Sequence, residues 1–405
     1  MKNDSSMVSS QSTRRSSPPG RARRRWSWND PDTRALIYQI LILGLVALGV
    51  WYLTSNTLHN LAVRNISTGF GFLHEEAGFA IGESIIDYSP ADTYGRAVLV
   101  GLVNTLRVSV VGIIVATLFG TLLGIGRLSR NWLISHLAGL YIEVMRNIPL
   151  LLQLFFWYAL ITEIMPGPRQ ALNPLPDVFI SNRGFKIPWV HGNAIDWLFG
   201  GLAVAIVLIV LLAHWARRRQ EATGRIFPLG WSALGLLVVV PALAAWLSGG
   251  SFELDRPELK GFNFQGGLTM SPEFTALLLG LVIYTSAFVG EVVRSGIQAV
   301  SQGQWEAASA LGLSRARILR KVILPQAMRV IVPPMTSQYL NLTKNSSLAV
   351  AIGYPDIVAV TNTILNQTGQ AIEGIMIIMA AYLVVSLSIS LFMNWYNKHI
   401  ELVER

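Results

Sequence analysis

The sequence predicts an all-α membrane protein with about eight transmembrane helices. Hydrophobic residues make up 52% of the 405-residue chain and charged residues only 14%, against roughly 25% charged residues in soluble domains. A helix needs about 20 apolar residues to cross the hydrocarbon of a bilayer. Eight segments approach or exceed that length: 35–53, 97–125, 148–165, 196–214, 229–247, 272–293, 328–352 and 372–395.

The N-terminal residues 1–34 are predicted to form a disordered, basic cytoplasmic tail. They hold eight Lys or Arg against three Asp, with many Ser and Pro residues, a composition that cannot bury an apolar core. Because an apolar run follows at 35–53, we expect the tail to lie near anionic lipid rather than on nucleic acid. That run is longer than most signal-peptide cores. We therefore predict an uncleaved first transmembrane helix at 35–53, followed by a periplasmic loop at 54–96.

The distribution of Lys and Arg favours cytoplasmic positions for both chain termini. With alternating spans, the predicted inner segments carry 22 of the 32 basic residues, the outer segments seven and the spans three. Such a bias is the one that the positive-inside rule describes. The outer connection 166–195 contains five prolines, and we expect it to be extended and irregular.

The connection between the sixth and seventh predicted spans has the pattern of two short helices joined by a bend. Ser301 and Gln304 have the spacing of a capping box, which marks a helix start. Gly312 is suited to end that helix, because glycine adopts a positive φ at little cost. Ser314 is then expected to cap a second helix, and Pro325 to stop it.

The residue pattern alone leaves the partner of residues 301–325 open. Trp305, Ala308 and Leu311 share one helix face, and the second helix places basic residues beside Ile and Val. A helix pair lying on anionic lipid is one explanation. A docking element for a cytoplasmic partner is the other.

The motif spacing within 301–325 resembles the EAA loop of ABC-importer permeases. The order is Glu-Ala-Ala, three residues, Gly, ten residues and Ile-Leu-Pro. In that family the loop is a coupling helix that fits a groove on the ATPase subunit, so the resemblance implies such a partner. The residues to which it assigns coupling are Glu306, Ala307, Ala308, Gly312, Ile323, Leu324 and Pro325.

Two further stretches resemble the polar-amino-acid branch of that family, the histidine/glutamine-type permeases. YIEVMRNIPLLLQ at 141–153 is similar to its Y-x-E-x-x-R-N-x-P-L-L-x-Q motif, and TKNSSL at 343–348 to its K-(N/D)-(S/T)-S-L motif. The resemblance implies a permease domain over 95–400 with a type I ABC-importer core of about five to six helices. Extra helices at about 196–247 resemble the enlarged permeases of general L-amino-acid importers.

The resemblance also implies a function, partners and a location. A permease of this branch translocates polar or general L-amino acids across the bacterial cytoplasmic (inner) membrane. ATP and Mg would be bound by separate ATPase subunits, with no cofactor in this chain. A second permease subunit, a paralogue, would form a heterodimer with it, and a soluble amino-acid-binding protein would deliver the solute.

Polar residues in the predicted spans are the candidates for the substrate pathway. A zwitterion needs counter-charges in an apolar medium, and Lys344 lies mid-span among polar residues. A structural ion pair of Lys344 with Glu291 or Glu143 is the alternative. Glu143 and Arg146 are spaced to pair on one helix face, while Arg146 and Asn147 also fit a boundary anchor. The candidates are Lys344, Asn345, Ser346, Ser347, Arg146, Asn147 and Glu143.

Catalytic and metal chemistry find little support in the sequence. No lysine follows a glycine, so a Walker A motif is absent. The chain has no Cys, and its six His show no metal-ligand spacing on a helix. An ion-driven carrier would need acidic residues deep in several spans, and only Glu291 comes near. An intramembrane enzyme would need a motif such as H-E-x-x-H or G-x-S-x-G, and neither occurs.

Overall fold

The computed structural model describes residues 31–63, 68–224, 227–249 and 253–400. The chain divides into two units, 1–68 and 69–405. In the first unit, helix α1 runs from Pro31–Val63 and exposes apolar side chains all round, as a membrane span does. It contains the predicted span 35–53, whereas residues 1–30 of the predicted tail lie outside the described residues.

The second unit consists mainly of helices. They are α2 (Tyr94–Arg127), α3 (Trp132–Asn147), α4 (Leu150–Ala159), α5 (Asn193–Thr223), α6 (Leu229–Leu247), α7 (Pro272–Gln298), α8 (Gln302–Ala310), α9 (Arg315–Ile318), α10 (Leu324–Asn345), α11 (Ile357–Thr368) and α12 (Ala371–Ile400).

Within the described residues, six helices are long and apolar enough to cross a membrane, namely α1, α2, α5, α6, α7 and α12. Two further candidates are bent pairs, α3 with 150–164 at 102° and 315–352 with α11 at 51°. Counting each pair as one span gives up to eight, so the predicted all-α membrane class is confirmed. The predicted third span, 148–165, needs correction because it is only the second half of a bent pair.

The bend before α4 has a local cause. Ile148 is extended, as expected of a residue before a proline, and Pro149 then precedes the new helix. The Gln153 side chain donates hydrogen bonds to the carbonyls of Met145 (3.0 Å) and Ile148 (3.1 Å). These are carbonyls that the end of α3 leaves without helical partners, so Gln153 holds the bend.

Eight short strands follow α4 and precede α7. They are β1 (Leu172–Leu175), β2 (Val178–Ser181), β3 (Gly184–Ile187), β4 (Trp189–His191), β5 (Glu253–Asp255), β6 (Glu258–Lys260), β7 (Asn263–Gln265) and β8 (Leu268–Met270). They form an antiparallel sheet in the order β1-β2-β3-β8 and two further antiparallel pairs. The pair β4-β5 joins the two chain segments that flank α5 and α6, and β6-β7 is a hairpin.

The connection 166–195 is therefore more regular than its prolines predict. Pro174 lies in β1, an edge strand, where the missing N–H costs no interior ladder bond. Pro176 and Asp177 form the turn to β2, with Asp177 at a φ of 61°. Because Pro174 lies in an edge strand and Pro176 in a turn, neither proline prevents the sheet from forming.

Glycines set the packing of the central helices. A Cβ on Gly124 of α2 would lie 2.7 Å from the Gly290 carbonyl of α7, and one on Gly120 would lie 2.5 Å from the Val289 Cβ. A Cβ on Gly280 of α7 would similarly lie 2.5 Å from Leu154 of α4. These helices approach to backbone contact, the small-residue packing that membrane helices use.

The two ends of this bundle differ in what they carry. At one end, named here the α8 end, buried Val293, Ile318, Ile323 and Met393 pack together, so the end of α12 lies near α8 and α9. At the other end, named the strand end, the sheet leads through Met270 directly into α7.

Candidate functional site

The segment 301–325 forms a short helix, a turn and a return into α10. Helix α8 ends at Ala310, and Gly312 has a φ of 71° with its N–H donating to the Ser309 carbonyl at 2.9 Å. The Leu313 N–H donates to the Ala308 carbonyl at 3.4 Å. Gly312 thus ends the helix in the left-handed conformation expected of it.

The surface of this turn combines a carboxylate, a small residue and an apolar residue. Glu306 and Ala307 are exposed, whereas Ala308 is buried against the cluster at the α8 end. Leu311 is 80% exposed, which corrects the predicted shared face with Trp305 and Ala308, because the helix stops before it. A charged, a small and an apolar side chain at a bend suit a partner surface.

Ser301 and Ser314 occupy the N-cap positions of α8 and α9, so both predicted helix starts are confirmed, but neither serine caps its helix through the side chain. Instead the Ser301 carbonyl accepts from the Gln304 N–H at 3.1 Å, and the Gln304 side chain accepts from Gln326 at 3.2 Å. Gln304 therefore ties α8 to the start of α10 rather than closing a capping box.

Pro325 does not stop the second helix. Residues Leu319–Ile323 form a π-helical turn that leads straight into α10, with Pro325 in the first turn of α10. A proline ring clashes with the carbonyl four residues earlier in a regular helix, and a π turn displaces that carbonyl. Ile323 is fully buried and Leu324 is 42% exposed. The Ile-Leu-Pro motif therefore holds the start of α10 against the buried cluster at the α8 end through Ile323.

Lys344 lies near the end of α10, where the chain changes to a 3-10 turn over Ser346–Ile352. Lys344 is exposed and Asn345 half-buried, while Ser346 is buried and donates to the Thr343 carbonyl at 2.7 Å. Ser347 donates to the Lys344 carbonyl at 2.7 Å. Across the described ranges, Lys344 makes no ion pair.

The carboxylates considered as partners of Lys344 are engaged elsewhere. Arg127 of α2 lies 3.2 Å from Glu291 and 3.3 Å from Glu143, and Arg294 also pairs with Glu291. The predicted Glu143–Arg146 pair does not form, because the Arg146 guanidinium lies over the Phe288 ring at 5.0 Å. Arg127 therefore links α2, α3 and α7.

Asn147 completes this second group. Its side-chain amide donates to the Glu143 carbonyl at 2.7 Å, a bond that helps to end α3 before the bend. The Glu143–Arg146–Asn147 group and the Lys344 group lie on different helices, and no direct polar contact among the described residues joins them.

The structure adds a polar cluster at the strand end that sequence reasoning missed. Arg107 of α2 pairs with Glu83 at 2.5 Å and lies over the Phe274 ring at 4.1 Å. Glu83 also accepts from Ser271 at 2.5 Å. Arg107 is a charged residue in the interior of a membrane-spanning helix, more than ten positions from Arg96 and Arg127, and such a position signals that a partner from elsewhere in the chain is needed.

Beside this cluster lies a partly open cavity of about 530 Å³. Its polar lining includes Glu83, Glu273, Ser271 and Thr363, and Glu273 accepts a hydrogen bond from Tyr158 at 3.2 Å. Gly353 and Pro355, at the break before α11, complete one wall. A cavity with two carboxylates and several hydroxyls can accommodate a small polar solute.

Comparison with known proteins decides the family. The family described as "Binding-protein-dependent transport system inner membrane component" matches residues 112–402, well over half of the chain. The chain belongs to this family. It is thus a multi-pass membrane permease without catalytic activity of its own, and ATP hydrolysis takes place in a separate subunit.

Two relatives of this permease match nearly end to end. The general L-amino acid transport system permease protein AapQ of Rhizobium johnstonii is 48% identical over 385 residues, covering 94% of this chain and 96% of AapQ. The glutamate/glutamine/aspartate/asparagine transport system permease protein BztB of Rhodobacter capsulatus is 41% identical over 424 residues, covering 96% and 99%. The inserted region 166–271 lies within both alignments.

Proposed function

We propose that this permease carries polar L-amino acids into the cell and that residues 301–325 dock the ATPase subunit. The observation that carries the docking assignment is the exposed bend itself. Glu306, Ala307 and Leu311 face outward beside a left-handed Gly312, in a motif that resembles the EAA loop. The amino-acid transport functions of the relatives AapQ and BztB support the substrate class.

The packing below the bend gives it a mechanical role. Ala308 and Ile318 are buried in the same cluster as Val293 of α7 and Ile331 of α10. A force applied to α8 is therefore delivered to two central helices through close-packed side chains, which transmit displacement because they cannot be compressed.

The assembly around the permease extends this proposal. ATPase subunits hold ATP and Mg, a soluble amino-acid-binding protein delivers solute at the strand end, and a paralogous permease completes a heterodimer. Both chain termini then lie on the cytoplasmic side of the inner membrane. The excess of Lys and Arg in the segments assigned to that side supports this orientation.

Lys344 and its neighbours Asn345, Ser346 and Ser347 are proposed to line the pathway. An exposed ammonium without a carboxylate in the described chain can pair with a substrate carboxylate. Arg146, Asn147 and Glu143 are proposed to lie at the exit of the pathway, where Arg127 joins three helices.

The docking assignment is tested with two glycine substitutions in the same exposed segment. A Cβ on Gly303 or on Gly312 meets nothing within 4 Å, but only Gly312 has a positive φ. Gly312→Ala distorts the bend at a cost of about 1 kcal/mol, so we expect ATP hydrolysis to continue with strongly reduced uptake of labelled amino acid. Gly303→Ala is the matched control and should transport normally.

The measurement uses the complete transporter in liposomes, with ATP hydrolysis and uptake recorded together. Glu306→Gln provides a second test, because it removes a charge without changing the bend. Unchanged coupling in both Gly312→Ala and Glu306→Gln would refute docking through this segment. Uptake of solutes other than amino acids would refute the substrate assignment alone.

A further inference from the structure

The ends of α5 and α12 meet at the α8 end through two nitrogen-rich side chains. An Nη of Arg217 lies 3.5 Å from Nε2 of His399, although the residues are 182 positions apart. A guanidinium has no acceptor atom, so the two groups can bond directly only if that histidine nitrogen is unprotonated. Both side chains are exposed, which leaves their remaining donors open.

Further cations surround this contact. Arg218 and Arg219 follow on α5 and Lys398 precedes His399 on α12, and all three are exposed. The nearest acidic residue on α5 is Glu221, which pairs with no cation within the ranges that the structure describes. Among the described residues, four exposed basic side chains therefore stand against the single carboxylate of Glu221 at these helix ends, and the balance is positive.

Aromatic rings lie near the contact between Arg217 and His399. Arg219 lies over the Trp215 ring at 5.2 Å, and Trp215 meets Phe227 edge to face at 5.5 Å. The Trp395 ring lies 5.0 Å from His399. Tryptophan is enriched at the level of lipid headgroups, so these rings place the cations at the depth where lipid phosphates lie.

Topology rules alone do not account for this arrangement. The positive-inside bias and the helix dipole both favour basic residues at these helix ends. Neither requires Arg217 of α5 and His399 of α12 to converge. A phosphate diester does account for it, because its two free oxygens accept from both groups at once and guanidinium matches phosphate geometry.

We propose that the site where Arg217 of α5 approaches His399 of α12 binds the phosphate of an anionic glycerophospholipid such as phosphatidylglycerol. Its acyl chains then lie along exposed apolar residues earlier on the same two helices, such as Leu211 at 60% exposure and Leu391 at 69%. The lipid then joins the α5–α6 hairpin to the transport core. Basic pockets between membrane helices are known to hold such headgroups.

The test titrates full-length permease, purified and delipidated in detergent, with phosphatidylglycerol and phosphatidylcholine of identical chains and counts bound lipid by native mass spectrometry. Wild type should prefer phosphatidylglycerol by about tenfold or more. This comparison needs no variant. Equal binding of the two lipids would overturn the proposal.

Two double variants with the same nominal number of basic side chains removed locate the site. Arg217→Gln with His399→Gln should lose about tenfold in phosphatidylglycerol affinity, whereas Arg218→Gln with Lys398→Gln should lose only about twofold. Equal losses would show diffuse electrostatic attraction and refute a specific site at Arg217 and His399. Displacement of the lipid by millimolar inorganic phosphate would show a free-phosphate site instead, and size-exclusion profiles check that each variant is folded.

Discussion

The transport core and the insert, residues 166–271, are both apolar, yet they are packed in different ways. In the core, α2 and α7 touch at Gly120 and Gly124, where no side chain fits. In the insert, α5 and α6 meet at Gly201 but leave Leu211, Trp246 and other large apolar residues exposed. Core helices that pack closely on several sides can transmit a movement to their neighbours. The α5–α6 hairpin packs on one side only, so it has few neighbours to which a movement could pass.

The same contrast appears in two lysines that lack a carboxylate partner among the described residues. Lys344 of the core is exposed, so its charge remains available to a solute. Lys186 of the insert is only 8% exposed and hydrogen-bonds the Thr269 hydroxyl. Burial lowers the pKa of the Lys186 ammonium. A buried cation is costly at the second position, whereas the proposed pathway role of Lys344 requires a cation at the first.

The largest expected effect compares one substitution in both regions. A Cβ at Gly124 would lie 2.7 Å from the Gly290 carbonyl, and one at Gly201 would lie 2.8 Å from the Ala244 Cβ. Each alanine should cost about 1–3 kcal/mol of packing. Only Gly124→Ala should also lower uptake, by about tenfold or more, because it separates α2 from α7.

Uptake and thermal unfolding of the reconstituted complex check this prediction. Gly126→Ala is the control, since its Cβ would meet Ala138 and Ile134 at an ordinary 3.6 Å. Equal losses of uptake in Gly124→Ala and Gly201→Ala would mean that the insert takes part in the transport movement, and the contrast between the regions would be wrong.

The second effect concerns the exposed lysine of the core. Lys344→Met keeps the length of the side chain and removes its charge, and we expect uptake to fall by about tenfold if a substrate carboxylate binds there. Lys344→Arg should restore much of the uptake. Thermal unfolding should barely change in either variant, because the side chain is exposed. Normal uptake by Lys344→Met would remove it from the pathway.

Helix positions were predictable because membrane spans are specified by apolar length, a local property. A break at Pro149 was readable from the proline, but its 102° angle was not, because other prolines of the chain lie inside continuous helices. The GTLLG spacing of Gly120 and Gly124 was a readable signal for close helix packing. By contrast, the strands of the insert depend on pairing between segments about 80 residues apart, as in Lys186 with Thr269.

In the candidate site, too, locally determined features were predictable from the sequence and features that depend on the fold were not. The bend at Gly312 was predictable because a positive φ selects glycine locally. The predicted helix end at Pro325 was wrong because a π turn at Leu319–Ile323 relieves the clash between the proline ring and the preceding helix backbone. The sequence carries no local signal for such a π turn. The pairing of Arg107 with Glu83 joins positions 24 apart through the fold, so the sequence indicated only that Arg107 needed a partner.

The smallest effect concerns the buried lysine of the insert. Lys186→Met removes a poorly solvated charge while keeping the side-chain volume, so we expect the Tm to rise by about 1 °C. The pKa of Lys186 is lower in the folded protein than in the unfolded chain, so protonation opposes folding at neutral pH. The advantage of the variant should therefore shrink as the pH rises through the lowered pKa.

Lys260→Met is the matched control for this last comparison. Its side chain is 60% exposed and lies 3.8 Å from Glu258, so its loss should leave the Tm unchanged or slightly lower at every pH. Scanning calorimetry of both variants between about pH 7 and pH 10 separates the two lysines. A Tm that falls in Lys186→Met would mean that the Thr269 hydrogen bond outweighs the burial of the charge, and that the insert uses its lysine to hold the sheet together.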